Sequence, residues 1–276
     1  MKLHLPRTIF LLILSYLPGS VVAGSEAADS QLSFSVGYEQ TSGDYGLDND
    51  TDITTVPFNL QYINEAWRFK LSVPFISVTG DGSVIPGTNG VITGDLTSIF
   101  GVGQSGGTSS TSVVETQSGP GDIMSSLSYA FLPENQSNMF YEMTAEVKWG
   151  TASAEKFLGT GENDYSLSLF SMYERYDLKP FLSLGYLVMG DSQVTDYNDV
   201  MFVTTGFMYQ LNSKTLVSIA YDFQQTTIDG TDDGKTLSVY LNRVLGEKWS
   251  ASAYLLNGLS DSVADTGFGL NLIRNF

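Results

Sequence analysis

The side chains with the clearest chemical potential are two carboxylates, Glu142 and Glu146, followed by the basic Lys148. A pair of carboxylates can act as general acid and general base when their surroundings separate the two pKa values. Here the residues alternate with apolar neighbours, which places all three on one face of an extended segment. Solvation of a polar face explains this spacing more simply than catalysis does, and we predict no catalytic residues and no enzymatic activity.

The chain has almost no capacity for imidazole chemistry and none for thiol chemistry. The sequence contains one histidine, His4, and no cysteine. Hydrolases and acyltransferases that pair Ser or Asp with His need an imidazole to take and give the proton. The lack of cysteine excludes disulfides and thiolate metal sites, and no cofactor is expected.

Acidic residues dominate the charge, with 30 Asp plus Glu against 13 Lys plus Arg. This balance argues against a nucleic-acid partner, because phosphates need cations. Asp48, Asp50 and Asp52 alternate like the start of a calcium loop, but Ile53 stands where that loop requires glycine. We therefore predict no metal site, and we interpret the acidic segments as solvated, cation-attracting loops.

The N-terminus has the three parts of a secretory signal: basic Lys2 and Arg7, an apolar run over 9–17, and the small-residue sequence Val-Val-Ala at 21–23. The apolar run is about half the roughly 20 residues that a spanning helix requires. We expect residues 1–23 to be a signal peptide and residues 24–276 to form one domain.

From residue 31 onward the chain repeats period-two segments of about ten residues, closed alternately by a short turn and a long polar loop. The first has Leu32, Phe34, Val36 and Tyr38 on one face and small residues on the other. About twelve such segments predict an all-β fold, a single antiparallel transmembrane β-barrel with short periplasmic turns and long extracellular loops. The stretch 77–120 is predicted as the longest loop, either external or folded inward.

Aromatic residues lie near both ends of these segments, as Trp67 and Phe75 or Tyr141 and Trp149 do. Girdles at the two bilayer interfaces explain this placement. The rival fold, a secreted β-sandwich, would place aromatic residues near strand centres and would use shorter strands.

With the apolar faces turned outward, charged and aromatic residues of the opposite parity are predicted to line the lumen. Opposed basic and acidic walls could orient a solute; alternatively, the same charges could form internal ion pairs that fill a small barrel. The lumen candidates are Arg68, Lys70, Asp122, Glu142, Glu146, Lys148, Asp222, Tyr240 and Tyr254.

Several segments resemble the outer-membrane transporter family named after the meta-pathway of phenol degradation. These are RFKLSVPFISV at 68–78, GPGDIMSSLSYAFL at 119–132, and the 159–190 region with GTGENDYSLSLFS followed by LSLGYLVMG. The closing segment GLSDSVADTGFGLNLIRNF fits as well. The resemblance implies passive transport of a small solute of hydrophobic or aromatic character.

The C-terminal segment resembles the signal that outer-membrane proteins present to the barrel-assembly machinery: aromatic Phe276 with Leu272, Leu270 and Phe268 alternating before it. Arg274 departs from that pattern, and at a strand end it can reach the interface. We therefore expect a location in the outer membrane of a Gram-negative cell, with lipid, lipopolysaccharide, the assembly machinery and a small-molecule solute as partners. The alternative function is a non-conducting structural or interaction barrel.

Overall fold

The structure is a computed structural model that describes residues 30–80, 84–86, 114–131, 138–174, 177–190 and 197–276. Thirteen strand segments account for nearly all of its regular structure, together with one 3-10 turn at Ala154–Lys156. The segments are β1 (Ser30–Gly43), β2 (Thr51–Asn64), β3 (Trp67–Gly80), β4 (Glu115–Pro120), β5 (Ile123–Phe131), β6 (Met139–Trp149), β7 (Asp164–Tyr173), β8 (Leu178–Val188), β9 (Val200–Asn212), β10 (Thr215–Gln224), β11 (Gly234–Val244), β12 (Trp249–Gly258) and β13 (Thr266–Asn275).

The sheet is antiparallel throughout and closes on itself. Each strand pairs with its neighbours in sequence, and β1 pairs with both β2 and β13. The segments β4 and β5 both pair with β3 and follow each other along it, so they count as one strand of a closed twelve-stranded barrel. The predicted fold class is confirmed. Closure satisfies the backbone groups that an open sheet edge would expose.

The predicted loop over 77–120 is shorter than expected. Ser77 pairs with Ser118, and the ladder continues to Gly80 opposite Glu115. Polar and small residues gave this stretch little strand propensity. The inward side chains of Ile76 and Val78 are buried, which explains why the ladder extends here. Residues 81–83 and 87–113 of the predicted loop lie outside the described residues.

Short and long connections alternate around the barrel. Two residues separate β2 from β3, and two separate β9 from β10, whereas the chain takes 150–163 to pass from β6 to β7. We call the end with β2–β3 and β9–β10 connections the turn end, and the other the loop end. Glu65 makes the tight β2–β3 turn in a left-handed conformation, with φ of 50°.

The outward face is apolar on every side of the barrel. Alternate residues such as Phe69, Leu167 and Leu270 are outward and 42–54% exposed. A continuous apolar surface of this extent is what bilayer hydrocarbon covers in membrane barrels. Aromatic residues cluster at the turn end, where the Trp67 and Tyr129 ring centroids are 4.7 Å apart.

Among the described residues there is no helix both long and apolar enough to cross a membrane.

Candidate functional site

The nine lumen candidates occupy inward positions of the barrel wall. On β3, for example, Arg68 and Lys70 alternate with the outward, exposed Phe69. Eight lie on strands, whereas Asp122 lies in the break between β4 and β5. In strand order the nine are Arg68 and Lys70 on β3; Asp122 between β4 and β5; Glu142, Glu146 and Lys148 on β6; Asp222 on β10; Tyr240 on β11; and Tyr254 on β12.

Arg68 on β3 reaches across β5 to form an ion pair with Glu142 on β6. The two side chains are 11% and 3% exposed, so the pair lies inside the barrel. Beneath it, the Ser128 and Thr144 hydroxyl oxygens are 2.8 Å apart. Lys70 and Glu146 flank Ser126 in the same register row, and both make polar contacts of their own. Opposite charges are therefore matched on this part of the wall.

Lys148 is the centre of a second charged cluster, near the loop end. Its Nζ lies 2.5 Å from Asp164 Oδ2 and 3.7 Å from Asp122 Oδ2, and it donates to Thr160 Oγ1 at 3.2 Å. The backbone N–H of Ala152 donates to Asp122 Oδ1 at 2.7 Å. Burial makes these bonds necessary, because an unmatched charge in such surroundings is costly. The cluster fixes the β6–β7 connection to the inner wall.

Residues from four connections at the loop end fold inward. Tyr45, Val84, Leu158 and Ala264 are at most 3% exposed and belong to one buried apolar cluster. Burial raises the pKa of the Tyr45 phenol well above its ordinary value. Ala264 packs against Gly43, where a Cβ would lie 2.9 Å from the Ala264 Cα. The loop end of the barrel is therefore narrowed by apolar side chains.

Asp222 lies on the opposite side of the lumen and is 5% exposed. Its register partners are Thr204 on β9 and Thr236 on β11, and Thr236 Oγ1 donates to its Oδ2 at 3.3 Å. Tyr240 and Tyr254 are cross-strand partners on β11 and β12 whose ring centroids are 5.7 Å apart. Two aromatic rings and a carboxylate thus line this side.

Many inward polar atoms on strands β10–β13 have no hydrogen-bond partner among the described residues. They include both side-chain polar atoms of three amide residues and the hydroxyl of one serine. Buried polar groups of this kind normally bind water or another ligand. The four residues are Gln224, Asn242, Asn271 and Ser252.

An inward phenylalanine cluster lies in the turn-end half. Phe140, Phe170 and Phe181 are 2–8% exposed, with centroid distances of 6.1 Å and 5.8 Å between successive rings. This cluster was not predicted from the sequence, because the inward candidates were limited to charged residues and two tyrosines. The period-two pattern could have found it: Phe170 has the same parity as Ser168 and Ser166.

Three further inward charges were also missed, namely Glu39, Asp164 and Lys179. Each is buried at an inward position of β1, β7 or β8, and Lys179 Nζ lies 2.7 Å from Glu174 Oε1. Glu39 follows Ser33, Ser35 and Gly37 at every second position, so alternation could have identified it.

At the C-terminus, Phe268, Leu270, Leu272 and Phe276 lie on the outward face. The Arg274 guanidinium lies 5.0 Å from the Phe276 ring centroid and 5.5 Å from that of Trp249. These cation–π distances explain how a basic residue is tolerated among outward apolar side chains at the turn end. Recognition by the assembly machinery stays a prediction.

Within the described ranges, no group of three or more His, Cys, Asp or Glu side chains is placed to hold a metal ion. Asp48, Asp50 and Asp52, which alternate like the start of a calcium loop, lie within those ranges.

Barrel closure, an apolar exterior and a charged, polar interior together are the architecture of a membrane-spanning β-barrel. The fold is similar to the COG4313 outer membrane channel from Pseudomonas putida F1, with a TM-score of 0.62 and 15% identity, covering 93% of this chain and 100% of that one. It is also similar to the NanC porin, with a TM-score of 0.52 and 9% identity, covering 89% of this chain and 98% of that one. The KdgM porin in complex with disordered oligogalacturonate has a TM-score of 0.50 and 11% identity, covering 88% of this chain and 99% of that one. No protein-family model and no curated protein matches the sequence. At these sequence identities the similarity shows a shared fold alone.

Proposed function

We propose that the protein is a passive channel of the outer membrane through which small solutes diffuse. The observation that carries this proposal is the polar inner wall of the closed barrel on β10–β13, where Asn242 and Asn271 have no hydrogen-bond partner among the described residues. Each such atom left without a partner costs on the order of 1–3 kcal/mol, which bound water would relieve. The fold that surrounds this wall is similar to those of outer-membrane channels.

Two features of the barrel interior support the solute class. Phe140, Phe170 and Phe181 form an inward aromatic cluster, and the inner wall on β10–β13 is polar. The resemblance of 68–78 and 119–132 to the phenol meta-pathway transporters supports the same solute class, a small hydrophobic or aromatic molecule.

Outer-membrane location is supported by the signal-like N-terminus, the apolar exterior and the aromatic Phe276 end. The partners that this location implies are lipid, lipopolysaccharide and the barrel-assembly machinery.

A second candidate is a non-conducting interaction barrel. The ion pair between Arg68 and Glu142, the Lys148 cluster and the apolar loop-end cluster all favour it, since they fill part of the lumen. Permeation distinguishes the two candidates, because a lumen filled by side chains does not conduct.

Swelling of proteoliposomes in isosmotic solutions of small neutral sugars and phenols tests the proposal. We expect swelling with the purified protein, and slower swelling for Asn271→Trp, which places a large ring in the lumen. The matched control is Leu270→Trp, one residue away on the outward face, which leaves the rate unchanged. Liposomes that do not swell would favour the non-conducting barrel, whereas equal swelling rates for the two variants would show that Asn271 does not line the permeation path.

A further inference from the structure

The two sides of the lumen differ in charge. All the inward basic residues on the barrel strands, Arg68, Lys70, Lys148 and Lys179, lie on β3 to β8. The contiguous strands β9 to β13, β1 and β2, all of them described, carry inward carboxylates but no inward lysine or arginine. We call this second set of strands the acidic arc, after its Glu39 and Asp222.

On the β3–β8 side the basic groups are matched by carboxylates. Arg68 pairs with Glu142, and Lys148 lies between Asp122 and Asp164. A solute on that side therefore meets neutralised pairs, whose fields largely cancel at a distance.

Asp222 has no basic partner of this kind. Both of its register partners are threonines, and no described basic side chain forms an ion pair with it. The Thr204 and Thr236 hydroxyls hydrogen-bond the carboxylate, and the side-chain amide of Gln224, the next inward residue on β10, has no hydrogen-bond partner among the described residues. A buried carboxylate that only neutral groups surround is stabilised by a cation close to it.

Two aromatic residues on neighbouring strands of the acidic arc face the same lumen. Tyr240 on β11 and Tyr254 on β12 are buried, inward register partners. The two rings lie side by side, and aromatic faces and phenol oxygens both attract cations. Carboxylate, phenol and amide oxygens thus face one side of the lumen.

The approach to this side from the loop end is acidic as well. The connections there expose many carboxylates, and acidic walls concentrate cations where a low-dielectric surround focuses the field. The exposed acidic residues of these connections include Asp44, Asp48, Asp50, Asp229, Asp232 and Asp261.

We infer that the lumen is cation-selective and that Asp222, within the acidic arc, is the residue that binds the permeating cation. The class of ligand is a small monovalent cation, either an alkali ion or an organic ammonium ion. The inference rests on the proposed channel and deepens it, because it assigns selectivity to one side of the lumen. Carboxylates lining a pore confer cation preference in other channels.

The test is the zero-current potential of the purified protein in planar bilayers under a tenfold KCl gradient, repeated with tetramethylammonium chloride. We expect the wild type to favour K⁺ over Cl⁻, and Asp222→Asn to lower that permeability ratio at least twofold while it still conducts. Asp222→Glu, which keeps the charge, retains the preference. Asp232→Asn removes one charge from an exposed connection and serves as the matched control, with a smaller change.

The outcomes separate the two proposals. A protein that carries no current overturns the channel and this inference together. A channel that conducts with the same permeability ratio in the wild type, Asp222→Asn and Asp232→Asn overturns the inference and leaves the channel in place. Heat-modifiable mobility on gels establishes that each variant is folded before it is recorded.

Discussion

The ring of Tyr254 on β12 occupies the space that a side chain on Gly269 of β13 would fill. The two residues are register partners, and a Cβ built on Gly269 would overlap Cε1 of the Tyr254 ring. In the same manner, the Phe202 ring occupies the space that a side chain on Gly185 of β8 would fill. Large rings inside this barrel therefore lie along the wall over glycines, which keeps them out of the central path.

This relationship predicts that Gly269→Ala displaces the Tyr254 ring. We expect a loss of about 1–3 kcal/mol in the free energy of unfolding, the range for overpacking of a close-packed site. Gly246→Ala is the control, because a Cβ there meets nothing within 4 Å. Urea unfolding in lipid measures both, and equal stabilities for the two variants would contradict the packing described here.

Replacing Arg68 leaves Glu142 buried without its counter-ion. We expect Arg68→Met to lower the unfolding free energy by on the order of 3 kcal/mol. The double variant Arg68→Met/Glu142→Met removes both charges and recovers part of that loss. A double variant whose loss equals the sum of the two single losses would show that the pair is not energetically coupled.

Lys148 is expected to hold the β6–β7 connection against the wall. Lys148→Met leaves Asp122 and Asp164 without their shared cation, so the backbone N–H groups of Ala152 and Gly190 that donate to them lose protection. Hydrogen exchange measures this directly. Lys156→Met, in the exposed part of the same connection, leaves the exchange of both amides unchanged. Unaltered exchange in Lys148→Met would contradict the proposed role.

The outward face predicts a depth-dependent penalty for charge. Val239 lies near the middle of β11 and Leu245 just beyond its turn end, and they are 45% and 54% exposed. In a bilayer, Val239→Arg should cost about 2–4 kcal/mol and Leu245→Arg about 0–1 kcal/mol. Folding equilibria in lipid vesicles give both values. Similar costs would mean that the apolar exterior does not mark the membrane-spanning zone.

The alternation of side chains predicted which face of each strand points outward. On β9, for example, Phe207 and Tyr209 are outward and exposed, whereas Phe202 and Met208 are inward and buried. Alternation is so informative because one face meets lipid and the other the lumen, and a slip by one residue would reverse both.

The sequence did not predict which side chains contact each other between strands. Parity places Arg68 and Glu142 on the inner wall, but their pairing depends on the register across β5, which turns and the break at Asp122 determine. The extension of β3 and β4 into 77–120 was missed because serine, threonine and glycine form strands there through the ladder and the burial of Ile76 and Val78. The phenylalanine cluster was missed because apolar inward residues look like exceptions to a polar lumen.

The central claim is that the lumen is a continuous hydrated path, and single-channel recording in planar bilayers tests it most directly. The account predicts discrete conductance steps for the purified wild-type protein, and smaller steps for Asn271→Trp than for the outward Leu270→Trp. A folded, heat-modifiable protein that inserts into the bilayer and carries no current would contradict it.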